Sequence, residues 1–260
     1  MKNFENKKVV ITGGGSGIGE KIVAELYQEG VKDFAVIGRS TEKLEALKKE
    51  FPKAEFELYS GDLAKVEDIK EFAAIVEKKW GTVDILINNA GVVSAGSISS
   101  ISDDDIIAQT NINVIGLILM TKHMLPLLKK SKEAALINVS SGLALISMPF
   151  YAPYAATKAA VKAFSESIRR ELKDFPIQVT TLYPTATDTP MMKNSNSGGL
   201  HSPEMVAKKL IEGIKNNEID VILSDLDNVK LNRDNPLEFD KKAAAMFDAF
   251  KKRTEKHRSM

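Results

Sequence analysis

Short apolar runs rich in β-branched residues alternate along the chain with longer segments of helical periodicity. The apolar runs predict strands, which lie at residues 8–12, 34–38, 55–60, 83–88, 135–140, 178–183 and 220–223. Their apolar residues are continuous, which indicates strands that are buried on both faces of a parallel sheet. Since no linker or repeat interrupts the alternation, we predict one α/β domain over residues 1–260, built as a doubly wound parallel sheet of about seven strands flanked by helices.

The later part of the chain carries helix signals that are less regular. Ser102, followed by three aspartates, predicts the capped start of a long helix, and Pro126 is expected to kink or divide it. After Lys230 the chain becomes polar, with a final helix predicted at 243–252. We interpret the polar C-terminal tail, from about residue 250, as solvated and frayed.

Composition excludes several classes of function. The 36 basic residues nearly balance the 35 acidic residues, so no strong field attracts the chain to nucleic acid or to an anionic membrane. The absence of cysteine and the three widely separated histidines argue against a disulfide framework and a metal site. The first residues do not resemble a signal peptide, and the apolar run near residues 114–120 is short for a membrane span. We therefore expect a cytoplasmic protein that acts on a small molecule.

A glycine-rich turn, "TGGGSGIG" from Thr12 to Gly19, follows the first predicted strand and opens a helix. Glycines allow a ligand to approach the backbone closely, and a helix N-terminus offers unpaired N–H groups to a pyrophosphate. The alternative is a glycine-rich turn without a ligand. The location between a strand and a helix favours a dinucleotide site.

Several motifs occur together in one order and spacing. They are Gly13-x-x-x-Gly17-x-Gly19, the aspartate of "GDL", "NNAG" at 88–91, "NVSS" at 138–141 and "YAATK" at 154–158. With them the chain resembles the short-chain dehydrogenase/reductase family over about residues 8–192. The resemblance implies a Rossmann-type fold, an NAD(P)-dependent oxidoreductase, and a cofactor site that comprises Gly13, Ser16, Gly17, Ile18, Gly19, Arg39, Asp62, Leu63, Asn89, Ala90, Gly91, Tyr154, Lys158, Pro184, Thr187 and Thr189.

The choice between the two nicotinamide cofactors depends on the end of the second predicted strand. Gly38 stands where an acidic residue would bind the ribose 2′-hydroxyl of NAD, and Arg39 follows it. A guanidinium binds a 2′-phosphate through charge-assisted hydrogen bonds. We therefore predict a preference for NADP(H), with NAD(H) as the alternative, and note that Ser16 stands where some NADP-preferring members carry a second basic residue.

The resemblance also implies a catalytic tetrad. Tyr154 would exchange its phenolic proton with the substrate oxygen, and Lys158, four residues later, would favour the phenolate. Ser141, rather than its neighbour Ser140, would hydrogen-bond the substrate oxygen. Asn113 best matches the family's asparagine, which would link the lysine to solvent, and Asn111 is the nearby alternative.

The predicted substrate pocket is apolar, and no cluster of arginines suggests a multiply charged substrate. The expected substrate-binding residues are Ser141, Leu143, Met148, Tyr154 and Met191, with Val93 and Met192 as further candidates. "PMMKNSNSGGLHSP" at 190–203 is interpreted as a mobile segment that covers the substrate. In the loop before this covering segment, Thr185 and Thr187 replace a glycine and a β-branched aliphatic residue of the family. We therefore expect the conformation of that loop to differ from the family's.

The resemblance also implies how the chain assembles. Members of the family often dimerise through the helices that begin near Ser102 and Pro153, so we expect a homodimer, whereas the altered C-terminus makes a tetramer less favoured. That C-terminus and "SSGLA" weakly resemble bacterial oxidoreductases encoded with the lipoteichoic-acid D-alanylation machinery. The alternative function is a nucleotide-sensing regulator without turnover, although such proteins commonly lose the tyrosine or the lysine.

Overall fold

Seven parallel strands form one sheet in the computed structural model, which describes residues 1–195 and 198–259. The strand order is β3-β2-β1-β4-β5-β6-β7, which confirms the predicted doubly wound, Rossmann-type α/β sheet. The grouping of residues 1–260 into one domain stays a prediction. The strands are β1 (Lys8–Thr12), β2 (Asp33–Gly38), β3 (Glu55–Ser60), β4 (Ile85–Asn88), β5 (Ala134–Val139), β6 (Ile177–Tyr183) and β7 (Asp220–Ile222).

Helices cover both faces of the sheet, and each face has its own apolar core. Helices α1, α2 and α7 pack on one face, and α3, α5 and α6 pack on the other. In β1, the side chains of Val9 and Ile11 enter the first core and that of Val10 enters the second, which explains the continuous apolar runs. The helices are α1 (Gly17–Gln28), α2 (Thr41–Glu50), α3 (Val66–Trp80), α4 (Asp103–Thr110), α5 (Leu117–Leu128), α6 (Ala152–Glu171), α7 (Pro203–Lys215), α8 (Leu226–Asp234), α9 (Pro236–Ala244) and α10 (Phe247–Thr254).

The strand order reverses between β1 and β4, and this reversal positions the site. Thr12 and Asn88, the last residues of these two strands, are register partners. The glycine turn and the "NNAG" segment therefore leave the sheet side by side at its carboxyl edge. In doubly wound sheets this crevice is where ligands bind.

The long helix that begins after Ser102 is divided, but not at the predicted position. Ser102 caps α4 as expected, its hydroxyl accepting a hydrogen bond from the N–H of Asp105. The irregular segment is a π-helix at Asn111–Gly116, whereas Pro126 lies inside α5, which continues to Leu128. The whole run, Asp103–Leu128, is long and apolar enough for a membrane span by length and composition, but half of its most apolar window is buried inside the protein.

The predicted solvated tail is wrong. Helix α10 ends at Thr254, and the side chains of Thr254 and His257 are almost fully buried. The chain then runs antiparallel to the segment after β4: the N–H of Ala95 donates to the carbonyl of His257, and that of Ser259 donates to the carbonyl of Val93. The polar composition misled the prediction, because backbone hydrogen bonds and a few buried side chains anchor this segment. We call residues 247–259 the C-terminal arm.

Candidate active site

A cavity of about 750 Å³ opens at the carboxyl edge of the sheet. Its walls come from the glycine turn, the ends of β2, β4 and β5, the start of α6, the loop after β6 and the C-terminal arm. All predicted site residues except Gly19 and Asn113 line this cavity. The lining predicted residues are Gly13, Ser16, Gly17, Ile18, Arg39, Asp62, Leu63, Asn89, Ala90, Gly91, Ser141, Leu143, Met148, Tyr154, Lys158, Pro184, Thr187, Thr189 and Met191.

The glycine turn has the geometry of a cradle held against the next loop. Gly13 adopts a left-handed backbone (φ +67°), which favours glycine, and its carbonyl accepts a hydrogen bond from the Asn89 side chain (3.1 Å). Gly19 lies behind the cavity, since a Cβ there would stand 2.4 Å from both that amide nitrogen and the carbonyl oxygen of Gly13. Gly19 therefore permits close packing, and Asn89 braces the turn.

Two cationic side chains flank the end of the cavity beyond β2. Arg39 follows the strand directly, and Lys43, in the first turn of α2, packs its Cβ 3.3 Å from the position of a Cβ built on Gly15. Sequence reasoning missed Lys43, although its place three residues after the helix cap Ser40 offered a signal. The hydroxyl of Ser16 makes no capping hydrogen bond at the start of α1. Together these groups can bind an anion.

Asp62 serves the backbone as well as the cavity. Its carboxylate accepts the N–H of Ala64 (2.9 Å), and its own N–H donates to Asp68 (2.7 Å). Asp62 therefore caps the loop and lines the cavity at the same time. Asp62 is the only carboxylate among the described lining residues, against five cationic side chains.

Helix α6 presents Tyr154 and Lys158 to the cavity, with Pro153 in its first turn. Ser141, after β5, lies beside the Tyr154 hydroxyl, and its own hydroxyl accepts the N–H of Leu143 (3.1 Å). Burial raises the pKa of Tyr154 to about 12, and Ser141 acts in the opposite direction. Ser140 is committed elsewhere, since its hydroxyl donates to the carbonyl of Lys158 (2.8 Å).

Lys158 is deeply buried, and its ammonium donates to the carbonyl of Val139 (3.0 Å). Its nitrogen lies 5.7 Å from the centroid of the Tyr154 ring. Burial lowers the pKa of Lys158 to about 8. Desolvation of the phenol dominates the pKa of Tyr154 in the described arrangement, and the lowering of that pKa by Lys158 stays a prediction.

Asn113 stands behind the cavity in the π-helical segment. Its side chain exchanges two hydrogen bonds with the backbone of Val92 (2.8 and 2.9 Å) and donates to Thr157 (3.1 Å). A Cβ built on Gly91 would stand 3.3 Å from both the Asn113 oxygen and the Lys158 nitrogen, so these two groups flank the same backbone. This neighbourhood favours Asn113 over Asn111, and its role in proton supply stays a prediction.

Threonines stabilise the loop after β6 where the family pattern is lost. The hydroxyl of Thr187 donates to the carbonyl of Thr185 (2.9 Å), and Thr185 pairs with a ring nitrogen of His201 (3.0 Å). The side chain of Thr189 contacts the glycine turn at Gly17. His201, which sequence reasoning missed, therefore fixes this loop. Residues 196 and 197 of the predicted covering segment lie outside the described residues.

The C-terminal arm closes the other side of the cavity, and sequence reasoning missed it entirely. His257 pairs with the hydroxyl of Tyr151 (2.7 Å) and with the carbonyl of Met191 (3.1 Å). Burial lowers the pKa of His257, so the neutral ring makes these bonds at pH 7. Other lining residues from this part of the chain are Phe239, Lys242, Met246, Phe250, Arg253 and Ser259.

The fold and the site define a class, a dinucleotide-binding oxidoreductase with its cavity at the switch point of a parallel sheet. A model of the short chain dehydrogenase family matches residues 7–199. The chain belongs to this family, and it is an NAD(P)-dependent oxidoreductase. The left-handed Gly13, the close-packed Gly19 and the cations near α2 fit a nicotinamide dinucleotide.

Individual relatives share about a third of their residues with the chain. The 3-ketodihydrosphingosine reductase of Dictyostelium discoideum is 32% identical over 247 residues, which cover 83% of this chain and 74% of that protein. Short-chain dehydrogenase/reductase 3 of Homo sapiens is 29% identical over 231 residues, 86% of this chain and 76% of that protein.

Solved structures agree on the fold. The 3-ketoacyl-(acyl-carrier-protein) reductase from Brucella melitensis, complexed with NADH, is 26% identical with a TM-score of 0.75, covering 85% of this chain and 96% of that one. A short-chain dehydrogenase from Burkholderia cenocepacia, in complex with NADP, is 22% identical with a TM-score of 0.81, covering 93% and 98%. The neighbours thus bind either cofactor.

Proposed function

We propose that the protein transfers hydride between NADP(H) and the carbonyl or secondary alcohol of a small, mostly apolar substrate, with Tyr154 as general acid and base. The observation that carries the proposal is the meeting of Tyr154, Ser141 and Lys158 in one cavity with the glycine turn. A bound nicotinamide dinucleotide supplies the hydride.

The residues divide the remaining chemistry among them. Tyr154, which keeps its proton at neutral pH, donates it to the substrate oxygen during reduction and accepts it during oxidation. Ser141 holds the same oxygen through a hydrogen bond and fixes its distance from the phenol. Lys158 stands behind the tyrosine as a buried cation, where it stabilises negative charge that develops on the phenol oxygen.

Apolar side chains support the inferred character of the substrate. Leu143, Met148 and Met191 line the cavity as predicted, and Val93 and Met192 join them. The arm and the helix before it add further apolar surface at Phe239, Met246 and Phe250. Flexible methionines suit an apolar chain that is not rigidly shaped.

Charge supports NADP(H) as the preferred cofactor. Arg39 and Lys43 both line the cavity, Arg39 directly after the position at which a carboxylate would select NAD(H), and Asp62 is the one carboxylate on the described lining. A ribose 2′-phosphate would add an anion where two cations and the N-terminus of α2 meet. NAD(H) is the alternative.

The catalytic assignment is tested by replacing Tyr154 with phenylalanine. This change removes only the proton donor, so we expect kcat for carbonyl reduction to fall by about 10²- to 10⁴-fold. The measurement is NADPH oxidation with a panel of ketones, aldehydes and quinones. Tyr27→Phe, the same change on α1 outside the cavity lining, is the matched control. Equal activity of wild type and Tyr154→Phe would disprove the mechanism.

The cofactor assignment is tested by Arg39→Ala. Loss of charge-assisted hydrogen bonds to a 2′-phosphate should weaken NADPH binding by about 10- to 100-fold and leave NADH binding nearly unchanged. Fluorescence titration with both cofactors measures the change, and Lys53→Ala, on the exposed surface before β3, is the control. Tighter binding of NADH than of NADPH to the wild type would contradict the proposal.

We also infer a homodimer, on the family resemblance and on one surface. Ile107 in α4 and Ile115 in the π-helical segment are about half-exposed, at 56% and 45%. Apolar side chains on one exposed helical run are suited to burial against a second copy. A cytoplasmic location and the absence of nucleic-acid and membrane partners stay predictions.

A further inference from the structure

Arg253 is a cation in the cavity that has no anionic partner among the described residues. It lies in the last turn of α10 and is half-buried. Its guanidinium carbon lies 5.8 Å from the ring centroid of Tyr151 and 5.5 Å from that of Phe250. Its Nε is fully buried without a hydrogen-bond acceptor. The described part of the chain pairs no carboxylate with it.

The aromatic neighbours satisfy this group only in part. Burial raises the pKa of Tyr151, while the charge of Arg253 and its hydrogen bond with the phenol act in the opposite direction. The phenol is neutral, so it leaves the guanidinium charge unpaired. A cation–π contact uses the face of the guanidinium, while its five N–H donors point outward from the edge in a planar fork. A buried donor without an acceptor is costly, and a buried unpaired charge is more so. An anion that enters the cavity would remove this cost, because a fork of N–H groups matches a carboxylate or a phosphate.

The guanidinium also lies near the proposed chemistry. The ring of Tyr151 neighbours both groups: its centroid lies 6.4 Å from that of Tyr154 and 5.8 Å from the guanidinium carbon of Arg253. Both tyrosines and Arg253 line the same cavity, whereas Asp62, the one carboxylate on the described lining, belongs to the cofactor end beside Gly61 and Leu63. No described carboxylate on the lining therefore competes for Arg253 at the substrate end.

We propose that the substrate carries one anionic group, a carboxylate or a phosphate monoester, which Arg253 binds while the carbonyl lies at Tyr154. The substrate is then amphipathic, with an apolar body between the reacting carbon and a charged end. This inference rests on the proposed function for the position of the carbonyl. The sequence predicted an apolar pocket without a cluster of arginines. The inference adds one charged group to the substrate, because a single arginine binds one anionic group rather than several.

Equilibrium binding tests the anion site without turnover. Octanoate, octyl phosphate and octan-1-ol are titrated calorimetrically into the full-length protein, with and without saturating NADP⁺. We expect one of the two anions to bind at least 10-fold more tightly than the alcohol, and the better anion identifies the head group. In Arg253→Met, which keeps the length of the side chain, this preference should fall to less than about twofold.

Two matched variants separate the anchor from general charge effects. Arg169 on α6 has a buried Nε without an acceptor, like Arg253, but it lies outside the cavity. Lys252 precedes Arg253 on α10, but it is exposed and lies outside the cavity. Arg169→Met and Lys252→Met should keep the wild-type preference. Unchanged octan-1-ol binding by Arg253→Met would show that its pocket remains folded.

These experiments distinguish failure of the anion site from failure of the proposed mechanism at Tyr154. If wild type binds neither anion more tightly than octan-1-ol, or if Arg253→Met retains the preference, the anion site is disproved, whether or not any ketone is reduced. If the anion preference depends on Arg253 while Tyr154→Phe still reduces ketones at the wild-type rate, the anion site stands and the mechanism fails. With 7-oxooctanoate and its methyl ester as substrates, Arg253→Met should lower kcat/KM for the acid alone, by about 10- to 100-fold.

Discussion

At the scale of single residues, burial dominates the ionisation of the catalytic pair. It lowers the pKa of Lys158 to about 8 and raises that of Tyr154 to about 12, so each group is pushed toward its neutral form. The carbonyl of Val139 satisfies one donor of the lysine without adding charge. The protein thus holds a cation at the site at the cost of folding stability.

This cost predicts a dependence of stability on pH. The unfolded lysine has a pKa near 10.5, so between about pH 8 and 10.5 the unfolded chain binds more protons than the folded one, and stability rises with pH. Relative to Lys158→Met, the free energy of unfolding of wild type should therefore increase by about 2–3 kcal/mol across this window. Urea unfolding of both proteins at pH 7.5 and 10.5 measures it. A constant difference between the two would show that Lys158 is not desolvated.

Sequence reasoning succeeded for residues that belong to local motifs and failed for residues brought in by tertiary contacts. Gly13, Ser141 and Tyr154 follow strands or open helices, so their neighbours along the chain predict their location. Lys43 reaches the cavity through the packing of α2, with the helix cap Ser40 as a local signal, whereas His201 acts through its hydrogen bond to Thr185 and no nearby motif marks it.

At the scale of elements, the C-terminal arm links parts of the site that are distant in sequence. His257 joins Tyr151, which precedes the catalytic tyrosine, to the backbone of Met191 in the loop after β6. Asp105 in α4 accepts hydrogen bonds from Ser94 and from Arg258 of the arm. The prediction for the arm was wrong because its length and polarity are typical of a frayed terminus, while its partners lie far away in sequence, such as Met191 at 66 residues and Asp105 at 153.

Replacing His257 with phenylalanine should loosen the arm. The aromatic contact with Tyr151 can persist, but a buried hydroxyl and a carbonyl lose their partner, at a cost of about 1–3 kcal/mol each. We expect amide exchange in residues 247–259 and at Ala95 to accelerate by at least 10-fold, as followed by hydrogen–deuterium exchange mass spectrometry. Exchange in β4 and β5 should not change.

His123→Phe is the matched control for this exchange experiment, since this histidine lies on α5, away from the arm. It should leave exchange in the arm at the wild-type rate. Equal protection of the arm in His257→Phe and wild type would show that other contacts hold it.

At the scale of the whole molecule, the sheet was the most predictable feature. The five inner strands, β2, β1, β4, β5 and β6, are buried on both faces and carry nearly continuous apolar runs, so their pattern is visible without knowledge of the fold. The edge strands β3 and β7 are partly exposed. The π-helical break at Asn111–Gly116 was not predicted, because it depends on the packing of Gly116 against the backbone of Leu63, where a Cβ would stand 2.7 Å from the carbonyl oxygen. Proline, the stronger local signal, drew the prediction to the wrong position.

The homodimer is tested on the surface that carries Ile107 and Ile115. A glutamate at either position would place a charge in the apolar centre of the interface, so we expect Ile107→Glu and Ile115→Glu to shift the mass in solution from dimer to monomer. Size-exclusion chromatography with light scattering measures it. Ile219→Glu, beside β7 and similarly exposed at 48%, should leave the dimer intact. A monomeric wild type would contradict the inference.

Many of the residues assigned to the cofactor also lie far along the chain from the lining residues of the last helices. The glycine turn and Arg39 precede β5, while the lining residues of α9 and the arm, within residues 236–259, come after the short edge strand β7. Mutations at lining residues that make no hydrogen bond to the catalytic helix or to the loop after β6, such as Phe239 and Met246, would therefore alter which molecule is accepted and leave the glycine turn in place. For directed evolution, this segment is a compact library target in which substrate range can change while cofactor use is inherited.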